Sequence, residues 1–592
     1  MSEPRREYEA RLKARTQALE TLRLRVRTIS NLRLAVFTAG LGTVVLAWSA
    51  SLSWWWLAGP CVAFIGLVVA HERATDRAAQ AARAVAHYEA GLHRLGGTWA
   101  GRGVVRADLA PPDHPYAADL DLFGEGSLFD RLCLARTGAG IRMLADWLLQ
   151  PAEPVALRAR QHAVDELRDA LDLRESLALT GEELRSEIDP SFLAAWAARP
   201  PAVAALSRAH ALAWTMMTVN VAAAAAWASG ATGFPPLAVT LAVTWFASRP
   251  YARFMREVML GVERPGRELA VLAAVVRQLE AQSFTAPRLQ HLRAELSTPP
   301  SGAAASIARL VRNVAWLDAQ RNSLFVPIAF PLMWGLHFGL AVERWRLQHG
   351  PQIESWLGAL GELEALSSIS AYAYERPEDP FPEFANGEPL LHGEGVGHPL
   401  LAEAECIRND IELSSQQRAL LVSGSNMSGK STYLRTIGVA VVLAQTGAPV
   451  CARKLRLTPL RVGATLRVQD SIQTGTSRFF AELKRLRAVM DLTDQGPGCL
   501  FLLDEILHGT NSHDRKLGAH AILASLLDRR AIGLVTTHDL ALTGTSMPSD
   551  VANVHFADQV TDGQLHFNYR VQPGVVQTSN ALALMRAIGL DV

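Results

Sequence analysis

The chain has 592 residues, enough for several domains at about 150 residues each. Its 58 Lys and Arg against 57 Asp and Glu leave a net charge of +1, so overall charge does not advertise nucleic-acid binding, although a local basic face stays open. The five cysteines, Cys61, Cys133, Cys406, Cys451 and Cys499, have no paired spacing, which disfavours a zinc site or a disulfide framework and suits a reducing compartment.

Residues 1–33 read as a basic, helix-prone segment rich in arginine. Leu34–Ala70 then carries no charged residue, and neither does Ala211–Ser248. A helix crosses a bilayer with about 20 apolar residues, so each stretch can hold a tight helical hairpin. The first would turn near Ser51–Ser53 beside Trp54, Trp55 and Trp56, the second at Gly230–Gly233 before Pro235 and Pro236. Basic residues flank the outer ends and none sits in the turns, as cytoplasmic termini require. The competing reading is a pair of buried hairpins in a soluble core. A third apolar run, Asn322–Val342, is interrupted by Pro327 and Pro331 and reads as a buried core helix.

The remaining N-terminal sequence is helical in pattern: residues 72–208 form a first part of a helical core and 249–374 its return. Residues 375–397, with Pro377, Pro380, Pro382 and Pro389, read as a linker. Beyond it, apolar strand candidates Ala419–Ser423, Cys499–Leu503 and Ile532–Thr536 alternate with helical stretches. That alternation predicts a parallel α/β nucleotide-binding domain over 398–592. The predicted architecture is therefore a multidomain chain, a helical lever and core region with two apolar hairpins followed by an α/β P-loop domain.

Gly424-Ser425-Asn426-Met427-Ser428-Gly429-Lys430-Ser431-Thr432 is a full G-x-x-x-x-G-K-[ST] loop between an apolar strand and a helix-compatible stretch. Its backbone N–H groups and the following helix would face the phosphates of a nucleoside triphosphate. Lys430 would reach the β- and γ-phosphates and Ser431 would help hold Mg²⁺. Cys499–Leu503 runs into Asp504 and Glu505. Asp504 is placed to support Mg²⁺, and Glu505 is the candidate general base. His538 ends another apolar strand on the same predicted edge, where a γ-phosphate or water-sensing role fits better than a purely structural one. Gly475-Thr476-Ser477 opens a further helix with free N–H groups and a hydroxyl.

Together these residues resemble the MutS family, the ATPases of DNA mismatch repair and their relatives. The loop shares that family's internal Asn426-Met427, with Ser425 and Ser428 standing where proline and glycine are usual. Asp470 through Glu482, Asp504 through Asp514, Thr537-His538, Val551–His555 and Gly397-His398-Pro399 are also similar to the family's segments. Asp121-Leu122-Phe123-Gly124 and Thr137–Gly140 look like the start of its lever domain, and Asn322–Tyr374 like the return. The resemblance implies an ABC-type ATPase using ATP and Mg²⁺, a homodimer formed through the ATPase domain, and Ser477 reaching the γ-phosphate held by the partner. The family's aromatic adenine contact corresponds to Cys406, and Tyr569 falls near a second adenine contact.

Two features depart from mismatch-repair members: no N-terminal mismatch-reading domain precedes the levers, and Ala211–Ser248 stands where a DNA clamp would be inserted. The resulting expectation is an ATP-hydrolysing protein of the cytoplasmic membrane, multi-pass, with the ATPase domain in the cytoplasm and dimer closure moving the levers. The alternative is a soluble DNA-binding ATPase of mismatch-repair or recombination type. A transporter is disfavoured because the apolar arms contain no charged residue to mark a substrate path.

Overall fold

The computed structural model describes residues 2–49, 53–180, 190–202, 206–297, 302–320, 322, 325–425, 427–466, 478–496, 498–507, 512–537, 548–561 and 564–575. Its contacts divide the chain into two compact units. The first comprises Met1–Cys133, Trp147–Gln161 and Ile369–Val592, and the second Leu134–Asp146 and His162–Ser368. This corrects the expected grouping of 72–208 with 249–374. The stretch up to Cys133 clusters with the C-terminal sequence, because its contacts are long-range and invisible to helical periodicity.

The first unit begins with two long helices, α1 (Glu3–Trp48) and α2 (Ala58–Leu95), packed as a hairpin with Phe37 against Phe64 at 6.1 Å. The basic segment and the first half of the apolar stretch are thus one continuous helix, since a change from charged to apolar residues does not interrupt backbone hydrogen bonding. The base of the hairpin is anchored. Tyr8 packs on Tyr88 and Tyr374 at 5.7 and 5.6 Å, over Gly91, where a Cβ would come within 2.6 Å of the Tyr8 ring. Beside them the buried Glu375 carboxylate accepts from Arg94 at 2.7 Å and Arg131 at 2.9 Å.

Among the described residues the rest of the first unit carries ten strands: β1 (Glu383–Phe384), β2 (Leu391–Val396), β3 (Asn409–Leu413), β4 (Ala419–Ser423), β5 (Lys454–Leu457), β6 (Arg461–Thr465), β7 (Cys499–Leu503), β8 (Ile532–Thr537), β9 (Val551–Thr561) and β10 (Gln564–Pro573). They form a six-stranded sheet, β10-β9-β4-β8-β7-β6, and a four-stranded sheet, β1-β5-β2-β3. In the larger sheet only β10 runs antiparallel. β4, β7 and β8 are buried at every position, and their unbroken apolar runs are what two covered faces demand. Leu486, Val489, Leu523, Leu526 and Leu527, from helices Arg478–Leu492 and Ser512–Asp528, cover one face against Phe501 and Leu503. The helix Lys430–Ala444 is buried on nearly all sides, which accounts for its uninterrupted apolar sequence after Thr436.

The expected linker 375–397 is only partly a linker: Leu391–Val396 pairs with both β3 and β5. Glycines at 393 and 395 hide this strand from alternation. Register places Ser423 beside Thr537, and Leu503 beside Val535, so the chain leaves β4, β7 and β8 along one edge.

The second unit is helical. Ala252–Glu280 packs on Gly302–Ala319, and the buried Arg346 guanidinium bonds Glu343 and the carbonyls of Trp196, Ala197, Arg199 and Pro200. The expected helix over Asn322–Val342 is interrupted. A short helix Val326–Ala329 precedes Trp334–Glu375, with Ile328 exposed, as Pro327 and Pro331 require.

Among the described residues three helical stretches, Glu3–Trp48, Trp55–Leu95 and Leu206–Ala228, are long and apolar enough to cross a membrane by length and composition. The second arm of the other apolar stretch, Pro235–Ser248, has 14 residues. At 1.5 Å per residue it reaches about 21 Å, short of a bilayer core of about 30 Å. This hairpin is also tied into its own unit. The buried Asn220 donates to Thr244 Oγ1 and to Pro331 O, each at 2.8 Å.

Candidate nucleotide site

The strand β4 ends at Ser423 and the chain turns through Gly424, with φ +151°, into the loop that leads to Gly429, with φ +104°, and the helix from Lys430. Both glycines are required by space as well as by backbone angle. A Cβ on Gly424 would lie 2.8 Å from Ser428 Oγ, and one on Gly429 would lie 3.1 Å from the Tyr569 ring. Met427 takes a left-handed conformation, φ +68°, with its side chain exposed. The loop is therefore a tight backbone cradle at a helix N-terminus, with the partial positive charge such an end carries.

Lys430 is 4 % exposed, and its Nζ donates to Gly424 O and Ser425 O, each at 2.8 Å. Across the sheet edge, Glu505 Oε1 stands 4.0 Å from Lys430 Nζ. Glu505 adopts φ +50° and Leu507 φ +61°. This unusual backbone is held from two sides. Thr536 Oγ1 accepts from Glu505 N at 3.0 Å, and the buried Glu482 carboxylate accepts from Leu507 N. Thr536 Oγ1 also donates to Asp504 Oδ1 at 2.5 Å, and Asp504 N donates to Thr465 O at 3.1 Å.

A cleft of 460 Å³ opens over the loop. Its floor is Ser425, Met427, Gly429, Lys430, Ser431 and Thr432, with Glu505 at the phosphate end. Leu401, Ile407, Phe556 and Tyr569 supply apolar surface to its wall. Tyr569 sits in a bulge of β10 with φ +52°. Asn409 holds that bulge with both ends of its amide, donating to Tyr569 O at 2.9 Å and accepting from Val571 N at 2.8 Å. His398 lines the cleft too, and burial pushes its imidazole down to about 4, so it is neutral at physiological pH.

Of the residues singled out in sequence, Ser425, Met427, Gly429, Lys430, Ser431, Thr432, Glu505 and Tyr569 line this cleft, Gly424 and Ser428 belong to the same loop, and Asp504 precedes Glu505 at the end of β7. Asn426, Ser477 and His538 lie outside the described residues. The position matched to an aromatic adenine contact, Cys406, does not line the cleft; its neighbours Glu405 and Ile407 do. Sequence reading missed Thr536, Asn409 and Ile407. A threonine one residue before the end of a buried strand and an asparagine opening another carry no local signal of a role.

The site tolerates a triphosphate chemically. Among the described residues the buried Ser428 hydroxyl has no hydrogen-bond partner, and the Lys430 ammonium donates to two loop carbonyls that a phosphate can replace. Ser431 and Asp504 offer oxygen donors of the kind Mg²⁺ takes.

Residues 420–591 match the family model for MutS domain V. The chain is 33 % identical over 246 residues to the DNA mismatch repair protein MutS 2 of Halobacterium salinarum, a match covering 39 % of this chain and 27 % of that protein. It is 36 % identical over 247 residues to Endonuclease MutS2 of Thermus thermophilus, covering 41 % of this chain and 32 % of that protein. The chain thus spans about a third or less of the relatives it matches. Residues 420–591 are thus a domain of the MutS ATPase type.

These relatives overturn the expected multi-pass location in the cytoplasmic membrane, and they lend no support to the membrane as partner. Their names are those of a DNA mismatch repair protein and an endonuclease. The physical reason is that length and hydropathy make a helix capable of spanning, while an apolar helix surface serves equally for packing against protein.

Proposed function

We propose that this chain is an ATP-binding and ATP-hydrolysing protein of MutS type that acts on DNA in mismatch repair or recombination. The observation that carries the reading is the approach of Glu505 to Lys430 across a cleft floored by Gly429, Ser431 and Thr432, within a MutS-type domain. Lys430 would exchange its two carbonyl partners for phosphate oxygens. Ser431 and Asp504 would hold Mg²⁺, which when bound neutralises charge on the phosphates. Glu505, freed from the lysine, would orient water and accept its proton. Tyr569, with Ile407 opposite, would hold the base.

In the same reading two copies close on each other through this domain. Ser477 of one would then complete the site of the other, and His538 would sense the γ-phosphate. The DNA half of the proposal is supported by what the relatives are named for and replaces the membrane-anchored reading.

The full chain should release phosphate from ATP in the presence of Mg²⁺, and Glu505→Gln should not. It should also bind duplex or branched DNA with an affinity that falls linearly on a log–log scale with salt. Equal phosphate release by both proteins would remove the ATPase assignment. Absence of DNA binding at low salt would remove the DNA assignment and leave the ATPase standing.

A further inference from the structure

Cys406 and Cys451 are far apart in sequence and meet behind the wall of the nucleotide cleft. A Cβ on Gly397 would lie 2.6 Å from the Cys406 sulfur and 3.1 Å from the Cys451 sulfur, so the two sulfurs are separated by no more than the sum of those distances. Both are free thiols, and Cys406 Sγ donates to His398 O at 3.8 Å. The missing side chain at Gly397 is what admits both, and Gly397 N is itself fixed to Cys451 O at 2.7 Å. Cys406 and the glycine between the thiols are each one residue from the cleft. Gly397 lies between Val396 and His398, and Cys406 between Glu405 and Ile407, all four of which line it.

The two thiols are also unequal. Its interaction with Cys451 lowers Cys406 most, Arg408 and Arg376 add to this, and burial opposes it without cancelling it, so Cys406 is held below the ordinary thiol range. The same interaction, with burial, pushes Cys451 up. One sulfur is thereby prepared as nucleophile and its neighbour kept protonated, the arrangement of an attacking and a resolving cysteine.

We propose that Cys406 and Cys451 form a reversible disulfide that adjusts the nucleotide cleft. With a peroxide as oxidant, the Cys406 thiolate attacks one peroxide oxygen, giving the sulfenic acid and hydroxide. The Cys451 thiol then attacks the Cys406 sulfur and the sulfenic oxygen leaves as water once protonated. A dithiol reductant reverses the step, itself becoming the disulfide. The S–S bond length of about 2.05 Å is shorter than any hydrogen-bonded contact of two sulfurs, so closing it draws Cys406 toward Cys451. Glu405 and Ile407 move with it, away from their present positions in the cleft wall. The crosslink itself stands on the thiol geometry alone; its effect on nucleotide rests on the function proposed above.

The test uses the full chain with exposed Cys61 replaced by serine. After hydrogen peroxide, peptide mapping without reductant should recover a Cys406–Cys451 crosslink that dithiothreitol removes. A fluorescent ATP analogue should bind about tenfold more weakly to the oxidised protein and recover on reduction. Cys406→Ser and Cys451→Ser should each bind the analogue like the reduced parent and ignore peroxide. Oxidation of Cys406 to higher acids with no crosslink to Cys451 would overturn the proposal, as would a crosslinked protein with unchanged affinity. A reduced parent that binds no analogue would instead count against the nucleotide assignment, with the crosslink still measurable.

Discussion

Thr536 Oγ1 donates to Asp504 Oδ1 at 2.5 Å while accepting the backbone N–H of Glu505 at 3.0 Å. One hydroxyl on β8 therefore orients both acidic residues at the end of β7. Thr536→Val keeps shape and removes both bonds. It should lower the turnover number by roughly 10- to 100-fold while changing nucleotide affinity little, the pattern of lost positioning. Thr536→Ser should restore most of the rate. Phosphate-release kinetics paired with direct nucleotide titration separate these outcomes, and an equal loss in both would show a structural role only.

Lys430 Nζ is buried against the two loop carbonyls. Lys430→Ala removes the ammonium that lines the cleft and should abolish measurable nucleotide binding, a loss of at least about 100-fold or ~2.7 kcal/mol. Isothermal titration with ATP and Mg²⁺ reads this directly, and retained binding would show that the loop backbone alone suffices.

Glu505 has a different task. Glu505→Gln keeps the side chain's shape but cannot take a proton, so ATP binding should persist while hydrolysis falls by at least about 100-fold. With ATP the variant should accumulate as a dimer in light scattering. Wild-type turnover would exclude Glu505 as the base.

Tyr569 presents its ring over Gly429 from a left-handed backbone that Asn409 clamps. Tyr569→Ala should weaken binding of ATP by about 5- to 50-fold, within the 1–3 kcal/mol range of base stacking on an aromatic side chain. Asn409→Ala should reproduce part of that loss, and Tyr569→Phe little of it. Competition between ATP and free triphosphate checks the site: the loss should appear for ATP alone.

Glu375 lies buried between Arg94 and Arg131. Burial pushes its carboxyl up, but the two guanidiniums outweigh this and hold it below the usual range. A folded value below the unfolded one means stabilisation that is complete above the ordinary carboxylate pKa, about 4.3, and is lost as pH falls through the lower folded value. Glu375→Gln leaves two buried cations unpaired and should cost about 3–5 kcal/mol near neutral pH. The gap in thermal midpoint between wild type and variant should narrow as pH is lowered past 4. A gap independent of pH would mean that the loss is one of packing.

The sequence by itself located the motifs of the proposed site and the strands that carry them. Gly424 to Thr432 and Asp504-Glu505 are contiguous, so they are legible without any long-range contact. β4, β7 and β8 are read from unbroken apolar runs because both their faces are covered. Sequence also showed which helices are apolar enough to span, but not what their surfaces meet, since hydropathy measures capability and not partnership. Only tertiary structure decided the rest. It joined Met1–Cys133 to the ATPase domain through Tyr8, Arg94 and Glu375, made a strand of Leu391–Val396, and brought Thr536 to Asp504, Asn409 to Tyr569 and Cys406 to Cys451. Each of those pairs is separated by tens to hundreds of residues and formed by sheet register and loop packing, which no periodicity along the chain encodes.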